Sequence, residues 1–345
     1  YVFPGLIDQH VHFNGAGGSM GPHSRTIDTP LSELTLNGIT TAVGLLGSDS
    51  MWRNVTELLQ KAVSLEEEGI TTYIYTGSYQ SNPTPTITGS IRTDMVLIDK
   101  CIGTKTAISD NRSNNPTVET LMQIASDTRI SGMMAGKAGV VMIHLGVGKG
   151  GMRPIFEAYH NSDIPIGTFL PTHLNRSEAL VEEAIAFAKE GGYIDISTAV
   201  SPKYGFGTAL KPSTCIKYWL EHGVPENRIT LSSDGNGAMA IVGEGGRIVG
   251  MTTSHICAHL EEFVDSILIE KLPIELVLKV FNTNVATHLK LDRKNGIMPG
   301  KDADMLVMTE GDLTLRDVIA KGRVMVRNGD AIVRGTFGDT GQKTK

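Results

Sequence analysis

The sequence predicts an α/β fold in which a (β/α)8 TIM barrel is followed by a small β appendage. Short β-branched or apolar runs alternate with amphipathic stretches, as in repeated βα units around a parallel sheet. Eight such runs follow one another at the spacing of a barrel. The 345 residues of the chain suffice for one large domain with an appendage. An open, doubly wound sheet is the alternative, although no GxGxxG fingerprint follows the first run.

The eight expected strands share one pattern, a β-branched or apolar core bounded by turn residues. They cover residues 6–13, 40–46, 71–76, 104–109, 140–145, 167–172, 193–198 and 228–232. Residues 55–68 and 177–190 are predicted as helices because apolar residues recur at i, i+3 and i+4 and a glycine follows. In the junctions NGITTAVGLL, EGITTYIYTG and EGGYIDIST, a glycine ends a helix and a β-branched run begins a strand.

After a helical segment at residues 273–289, the sequence changes to short strands separated by turn residues. These strands are expected at residues 303–308, 318–320, 324–327 and 331–333. Pro299 and Gly300 precede them, and Asn328-Gly329 has the composition of a hairpin turn. We therefore expect a barrel domain over residues 1–295. Residues 296–345 are expected to form part of a small β-domain, with an aperiodic tail from residue 336.

The composition restricts the partners and the location of the protein. A net charge of −6 and the lack of a long basic run argue against nucleic acid. No apolar stretch approaches the roughly 20 residues that cross a bilayer, so no membrane partner is expected. Cys101, Cys215 and Cys257 are far apart and form no CxxC motif, which argues against a disulfide framework. A reducing, cytoplasmic location fits this cysteine usage best.

A pair of histidines gives the first indication of chemistry. His10 and His12 are two residues apart on the first expected strand, so both imidazoles project from the same side, about 7 Å apart. One metal ion could bind both. Active sites of barrel enzymes lie at the carboxyl ends of the strands, where this pair is placed.

The ends of other strands carry further side chains that can bind metal. His144 ends the fifth strand, His173 ends the sixth, and Asp234 follows the eighth. Four histidines and a carboxylate exceed what one tetrahedral zinc normally takes from a protein, which indicates two ions sharing a bridging ligand and a hydroxide. Lys105 lies on the fourth strand, where two metals would repel its amine unless it were chemically changed; the alternative is a residue that merely lines the barrel.

These motifs resemble the isoaspartyl (β-aspartyl) dipeptidase family of the amidohydrolase superfamily along essentially the whole chain. The resemblance rests on PGLIDQHVH, GITTAVGLLG, TGSYQ, ITGSIRTD, AISDNRS, LPTHLNR, LSSDGNG and PGKDADMLVM. It implies a β-sandwich domain whose first strands precede the barrel, which agrees with the start of this chain at Tyr1, directly on a motif strand. It also implies assembly into a homo-oligomer.

The resemblance further implies a ligand set for two Zn²⁺ ions per subunit. His10 and His12 would bind the first zinc together with Asp234, and His144 and His173 the second. Lys105, carboxylated on its side-chain nitrogen, would bridge the ions together with a hydroxide. Asp234 is also the expected general base and acid, and Tyr79 matches the family tyrosine that stabilises the oxyanion.

Substrate contacts are implied in the same way. Arg112 and Arg176 match positions that hold the carboxylate end of the dipeptide. Ser48 and the glycine-rich loop around Gly17 match the region that receives the aspartyl α-carboxylate. Two positions depart: Ser19 stands where the family offers a glutamate for the substrate α-amino group, and Ala238 replaces a serine. We expect weaker selection for a free amino terminus and tolerance of N-acylated substrates.

The expected function is hydrolysis of the β-aspartyl isopeptide bond of small dipeptides by a metallopeptidase. The alternatives are an amidohydrolase of cyclic amides or N-acyl amino acids and a metal-free barrel used as a scaffold. His255 and His259 are spaced like the histidines of HExxH, but its glutamate is missing. An ordinary helix with partly buried histidines is therefore expected there.

Overall fold

A computed structural model describes residues 1–242 and 248–337 of the chain. The described residues form an α/β structure with parallel strands, covering helices and a separate antiparallel sheet. The strands are β1 (Val2–Pro4), β2 (Leu6–Val11), β3 (Ile39–Gly44), β4 (Thr71–Gly77), β5 (Cys101–Ile108), β6 (Val140–Leu145), β7 (Phe169–Thr172), β8 (Ile194–Ser197), β9 (Ile229–Ser232), β10 (Ala238–Val242), β11 (Ile248–Thr253), β12 (Met305–Met308), β13 (Leu315–Ala320), β14 (Arg323–Arg327) and β15 (Asp330–Ala331).

Helices follow most of the parallel strands. They are α1 (Leu31–Thr35), α2 (Val55–Glu68), α3 (Ile91–Leu97), α4 (Val118–Ala135), α5 (Arg153–His160), α6 (Glu178–Lys189), α7 (Pro212–Glu221), α8 (Cys257–Leu268), α9 (Ile274–Leu278) and α10 (Asn284–His288). A short π-helical stretch, Lys279–Thr283, joins the last two, within the predicted segment 273–289. In the described ranges, no helix is both long and apolar enough to cross a membrane.

Local sequence explains where the helices begin and end. Asn54 caps α2 by accepting a hydrogen bond from the backbone N–H of Glu57 at 2.9 Å. Gly69 then ends this helix with a φ of 141°, a value that residues with a side chain rarely adopt. Ser177 caps α6 in the same way. The predicted helices 55–68 and 177–190 are confirmed, the second with one residue fewer at each end.

All eight predicted parallel strands are confirmed, with bounds that differ by a few residues. Six of them form one parallel sheet in the order β2-β3-β4-β5-β6-β7, and β8 pairs with β9 in parallel. The backbone N–H of His12, just beyond β2, donates to the carbonyl of Gly235 beyond β9 at 2.8 Å. The first and last strands are thus neighbours, and the curled arrangement is consistent with a (β/α)8 barrel.

The antiparallel sheet has the order β1-β12-β13-β14-β15. Asn328 and Gly329 have φ values of 52° and 83°, so the predicted hairpin turn between β14 and β15 is confirmed. Strand β1, at the other end of the chain, pairs with β12 rather than with the curled sheet. The division at residues 295 and 296 and the β-sandwich architecture stay predictions. Most of the predicted tail, residues 338–345, lies outside the described residues.

One feature was not predicted from the sequence. Strands β10 and β11 form an antiparallel hairpin that follows Asp234, in register from Ala238 opposite Thr253. The hairpin lies beyond the carboxyl end of β9, where barrel enzymes place their active-site loops. It therefore belongs to the surroundings of the site described below.

Candidate metal centre and active site

The six predicted metal ligands come from five different strands and meet at one place. His10 is in β2, Lys105 in β5 and His144 in β6; the others directly follow β2, β7 and β9. All six side chains are buried; they belong to His10, His12, Lys105, His144, His173 and Asp234. The carboxyl ends of parallel strands face the same end of a barrel, which explains how residues distant in sequence converge.

The distances define a compact cluster. The Asp234 Oδ1 atom lies 3.2 Å from the Nε2 atoms of both His10 and His12. Ligand atoms of these three residues lie within 4.8 Å of one another, close enough to hold one ion. The Lys105 Nζ atom lies 3.1 Å from His10 Nε2. The ring of His173 is 5.0 Å from that of His10 and 4.6 Å from that of His144. His173 therefore lies between these two histidines.

Backbone conformation directs two of these side chains. His173 and Asp234 have φ values of 66° and 57°, in the left-handed region that residues with a side chain seldom occupy. His173 comes directly after β7, and Asp234 lies two residues beyond the end of β9. Strained residues of this kind cluster at functional sites, where the surrounding structure holds them in place.

The donor atoms fit a metal. Within the described part of the chain, Nδ1 of His10, Nδ1 of His12 and Nε2 of His173 are buried without a hydrogen-bond partner. Leaving such nitrogens unsatisfied is costly, and imidazole is the commonest protein ligand for zinc. The Nε2 atoms of His10 and His12 face the Asp234 carboxylate, and the unpartnered Nε2 of His173 lies in the same cluster, which favours a metal centre over an ordinary polar core.

Lys105 is fully buried, which is rare for lysine. Burial lowers the pKa of its amine to about 7, although the nearby Asp234 carboxylate opposes the change. A substantial fraction of the amine is then neutral at neutral pH. The neutral form is the one that can react with CO2, so the environment favours carboxylation.

Asp234 and Tyr79 have opposite protonation preferences. Burial opposes ionisation of Asp234, yet the nearby His173 and hydrogen bonds to His10 and His12 hold its pKa well below the ordinary range. Burial raises the pKa of Tyr79, so its hydroxyl stays protonated. That hydroxyl lies 2.6 Å from His144 Nδ1. The site thus offers a carboxylate that can accept a proton and a hydroxyl that can donate a hydrogen bond.

The two predicted arginines approach the same cluster. The guanidinium of Arg112 lies 5.4 Å from the centre of the Tyr79 ring and is paired with Asp110. Arg176 donates from Nη1 to the carbonyl of Leu145 at 3.1 Å, and its buried Nε has no partner in the ranges described. Arg176 also forms no ion pair there, so its charge is available to an anionic ligand.

The loops that follow β2 and β3 are placed beside the metal ligands. A Cβ atom on Gly47 would lie 3.3 Å from His12 Cε1, so the half-buried Ser48 adjoins the cluster. Gly17 has a φ of 125° and approaches the Ser24 carbonyl so closely that a Cβ would lie 2.2 Å from it. Only glycine permits this turn of the glycine-rich loop.

The two positions that depart from the family pattern, Ser19 and Ala238, lie farther from the predicted metal ligands. Ser19 is exposed at the tip of the loop, and Ala238 is half-buried at the start of β10. Among the residues that the structure describes, no contact joins Ser19 to the predicted metal ligands, whereas Ala238 is four residues beyond Asp234. Their predicted roles in substrate selection stay predictions, as do the other substrate contacts.

Sequence reasoning missed the carboxylates that support the ligands. Asp8 accepts from the backbone N–H of Ser233 at 3.0 Å and from its hydroxyl, which fixes the turn that carries Asp234. Asp195, on β8, accepts from Gln9, beside His10, at 2.6 Å. It also accepts hydrogen bonds from the hydroxyls of three residues on neighbouring strands, Thr172, Thr230 and Ser232.

Asp110, a third such carboxylate, accepts a hydrogen bond from His144 at 2.8 Å. It follows β5, so a search for polar residues at the ends of the strands could have found it.

Comparison with known proteins gives this arrangement a family. No family model matches the sequence. One similar structure is the β-aspartyl dipeptidase of the thermophilic, keratin-degrading Fervidobacterium islandicum AW-1, solved with the dipeptide β-Asp-Leu. Its TM-score is 0.89 and its sequence identity is 40%, and the match covers 96% of this chain and 86% of that one. A second structure of that dipeptidase gives 0.86 and 40%, covering 96% and 84%. Dihydropyrimidinase from Brevibacillus agri NCHU1002 shares the fold, with a TM-score of 0.62 and 14% identity over 97% and 87% of the two chains.

The fold and the site define a hydrolytic enzyme of the amidohydrolase type. At this identity and coverage, the resemblance noted from the sequence motifs is confirmed. The chain belongs to the β-aspartyl dipeptidase family of the amidohydrolase superfamily.

Proposed function

We propose that this enzyme hydrolyses the β-aspartyl isopeptide bond of isoaspartyl dipeptides at a dinuclear zinc centre. The observation that carries the proposal is the guanidinium of Arg176, which lies beside the cluster of predicted metal ligands and forms no ion pair within the described part of the chain. A partly buried cation of this kind suits a substrate carboxylate. The β-Asp-Leu ligand of the similar Fervidobacterium enzyme supports a small dipeptide as the substrate.

His10, His12 and Asp234 would hold one zinc, and His144 and His173 the other, with carboxylated Lys105 between them. When bound, two zinc ions lower the pKa of a shared water towards neutrality and polarise the scissile carbonyl. The Nε2 atoms of His10 and His12 at Asp234, the Nε2 of His173 without a partner among the described residues, and the lowered pKa of Lys105 support this assignment.

The protein side chains would manage the protons and the developing charge. Asp234, ionised, accepts the proton of the attacking water and passes it to the amine that leaves. Tyr79, protonated, donates a hydrogen bond to the carbonyl oxygen as that oxygen becomes negative. Such a donor stabilises the transition state more than the bound substrate, so its effect falls on kcat.

Substrate binding would use the positive side of the site. Arg176 and Arg112 would hold the carboxylate of the residue that leaves, through the N–H donors that Leu145 and Asp110 do not engage. Ser48 and the backbone of the loop at Gly17 would receive the aspartyl α-carboxylate. The exposed Ser19 and the half-buried Ala238 offer no negative charge to a substrate ammonium.

The decisive experiment measures turnover of β-Asp-Leu beside α-Asp-Leu, dihydroorotate and N-acetyl amino acids, with zinc and bicarbonate supplied. We expect cleavage of β-Asp-Leu and little cleavage of the α-linked isomer. Absence of β-aspartyl cleavage, with turnover of a cyclic amide or an N-acyl amino acid, would favour the alternative amidohydrolase function.

The same assay tests the predicted tolerance of N-acylation. Equal turnover of β-Asp-Leu and its N-acetyl derivative would support the role given to Ser19 and Ala238, and strict preference for the free amine would refute it. A homo-oligomeric state and a cytoplasmic location remain predictions from the resemblance and from cysteine usage.

A further inference from the structure

Asp110 connects residues to which the proposed function assigns three different tasks. It follows β5 and is buried, and both carboxylate oxygens are engaged. Oδ2 lies 2.8 Å from Nε2 of His144 and accepts from Nη2 of Arg112 at 2.8 Å. Oδ1 accepts from Nε of Arg112 at 3.0 Å and from its backbone N–H at 2.8 Å. One carboxylate therefore fixes an imidazole and both ends of a guanidinium fork.

The contacts among Asp110, His144, Tyr79 and Arg112 form a closed circuit of four side chains. The other ring nitrogen of His144, Nδ1, lies 2.6 Å from the hydroxyl of Tyr79. The ring of Tyr79 lies 5.4 Å from the guanidinium carbon of Arg112, which returns to Asp110. The four side chains come from the ends of three successive strands, β4, β5 and β6.

The carboxylate decides which nitrogen of His144 carries the proton. An ionised carboxylate only accepts hydrogen bonds, so Nε2 must be the N–H and Nδ1 must offer its lone pair. The lone pair points to the side of the ring where Tyr79 lies. Carboxylates that hold a ligating histidine by its second nitrogen orient the ring and raise its basicity.

The same carboxylate limits the freedom of Arg112. The side chain of Arg112 is 38% exposed, and a free arginine at such a position would sample many rotamers. Two hydrogen bonds to Asp110 remove this freedom before a substrate arrives, which lowers the entropic cost of binding.

We propose that Asp110 is a positioning residue that couples the His144 metal ligand to the Arg112 substrate contact. The inference rests on the proposed function, and it deepens that function because metal affinity and substrate affinity become linked through one side chain. Asp110 touches neither the metal nor the substrate in this role. It acts through the tautomer of His144 and the orientation of Arg112.

The test compares Asp110→Asn with the wild-type holoenzyme and with Asp127→Asn. Asp127 pairs with Arg92 at 2.6 Å on the surface and serves as the matched control. Chelator competition should show that Asp110→Asn weakens binding of the zinc assigned to His144 and His173 about 10- to 100-fold, the usual effect of losing such a partner. The KM for β-Asp-Leu should rise as well, while Asp127→Asn leaves both quantities unchanged. Wild-type zinc affinity and KM in folded Asp110→Asn would overturn the proposal.

Arg112→Met provides a second test that leaves Asp110 in place. Because Asp110 then loses the two hydrogen bonds from the Arg112 side chain, binding of the zinc assigned to His144 and His173 should weaken severalfold even though Arg112 binds no metal. Adding Asp110→Asn to Arg112→Met should raise KM no further, since Asp110 acts on the substrate through Arg112. Unchanged zinc affinity in Arg112→Met, or an additive rise of KM in the double variant, would contradict the coupling.

Zinc affinity is measured without substrate, so the two proposals fail in different ways. A wild-type enzyme that binds zinc but leaves β-Asp-Leu uncleaved would refute the proposed function. The zinc affinities of the Asp110 and Arg112 variants would still decide whether these side chains are coupled.

Discussion

Tyr79 illustrates how a single residue acquires its chemistry from burial. The side chain is 8% exposed, and burial raises the pKa of its hydroxyl, so the group is a donor throughout the working pH range. Its hydrogen-bond partner is a nitrogen of His144, which places the hydroxyl beside the metal ligands. In the proposed reaction this donor meets the carbonyl oxygen only when that oxygen becomes charged.

We predict that Tyr79→Phe lowers kcat for β-Asp-Leu by about 10²- to 10³-fold, the typical cost of losing one oxyanion donor. The KM and the zinc content should change little, since the ring is retained. Steady-state kinetics and metal analysis check both points. Tyr73→Phe removes a half-buried hydroxyl elsewhere and should leave kcat unaffected. A Tyr79→Phe variant with wild-type kcat would exclude an oxyanion role.

His259 shows a purely structural consequence of burial. It is fully buried and packs on Phe281 with ring centroids 5.0 Å apart. Burial lowers its pKa from 6.5 to about 3. Between these values the unfolded chain binds a proton that the folded chain does not, so the free energy of unfolding falls as the pH falls.

We predict that His259→Phe reduces the loss of stability between about pH 7 and pH 5, because the variant has no proton to take up on unfolding at this position. Urea unfolding at both pH values measures the difference. The exposed His23 offers the control, since His23→Asn should follow the wild type. Equal pH sensitivity of His259→Phe and the wild type would show that His259 is not held neutral.

At the scale of elements, one buried ion pair holds the loop that follows β2. Arg53 donates to Asp49 at 2.6 Å, to the carbonyl of Thr26 at 2.6 Å and to the carbonyl of Asn14. Arg53 and Asp49 are both buried, and they belong to the loop that also carries Ser48. The loops after β2 and β3 are therefore fixed to each other beside the metal ligands.

We predict that Arg53→Met lowers the free energy of unfolding by about 3–5 kcal/mol, because the Asp49 carboxylate is left buried without its partner. The KM should also rise, as the glycine-rich loop loses two of its anchors. Denaturant unfolding and kinetics report these effects. Arg92→Met removes a pair in which the arginine is exposed and should cost less than about 1 kcal/mol. Similar losses in the two variants would refute the anchoring role of Arg53.

At the scale of the whole molecule, the metal site joins strands that are far apart in sequence. His10 and His12 lie 224 and 222 residues before Asp234, yet their side chains meet because β2 and β9 are neighbours. Lys105, His144 and His173 bring three further strands to the same end. Bound metal would therefore stabilise the whole arrangement of strands, because it binds the folded chain and not the unfolded one.

We predict that removing zinc with a chelator abolishes hydrolysis and lowers the melting temperature by several degrees, since ligand binding to the folded state raises stability. Zinc together with bicarbonate should restore both, and metal analysis should find about two zinc ions per chain. Lys105→Met should not recover with bicarbonate. Fewer than about one zinc per chain after careful purification would favour the scaffold alternative over a dinuclear enzyme.

The sequence by itself determined the local structure and singled out the candidate metal ligands. Alternating β-branched and amphipathic segments specify strands and helices from neighbouring residues alone, so all eight parallel strands were predictable. A strand-end histidine or aspartate such as His144 or Asp234 could be recognised because parallel strands end on one side of a barrel. The strands β10 and β11 were missed, since they form an antiparallel hairpin that interrupts the repeat of parallel strands and helices.

Only the tertiary structure decided which groups support the ligands. Asp110 meets His144 across 34 residues, and Asp8 meets Ser233 across 225. Such pairs depend on strand order and register, which no local pattern encodes. Burial, too, is a property of the folded chain, and it is the largest cause of the lowered pKa of Lys105. The sequence specifies the reactive groups, and packing sets their charge, tautomer and direction.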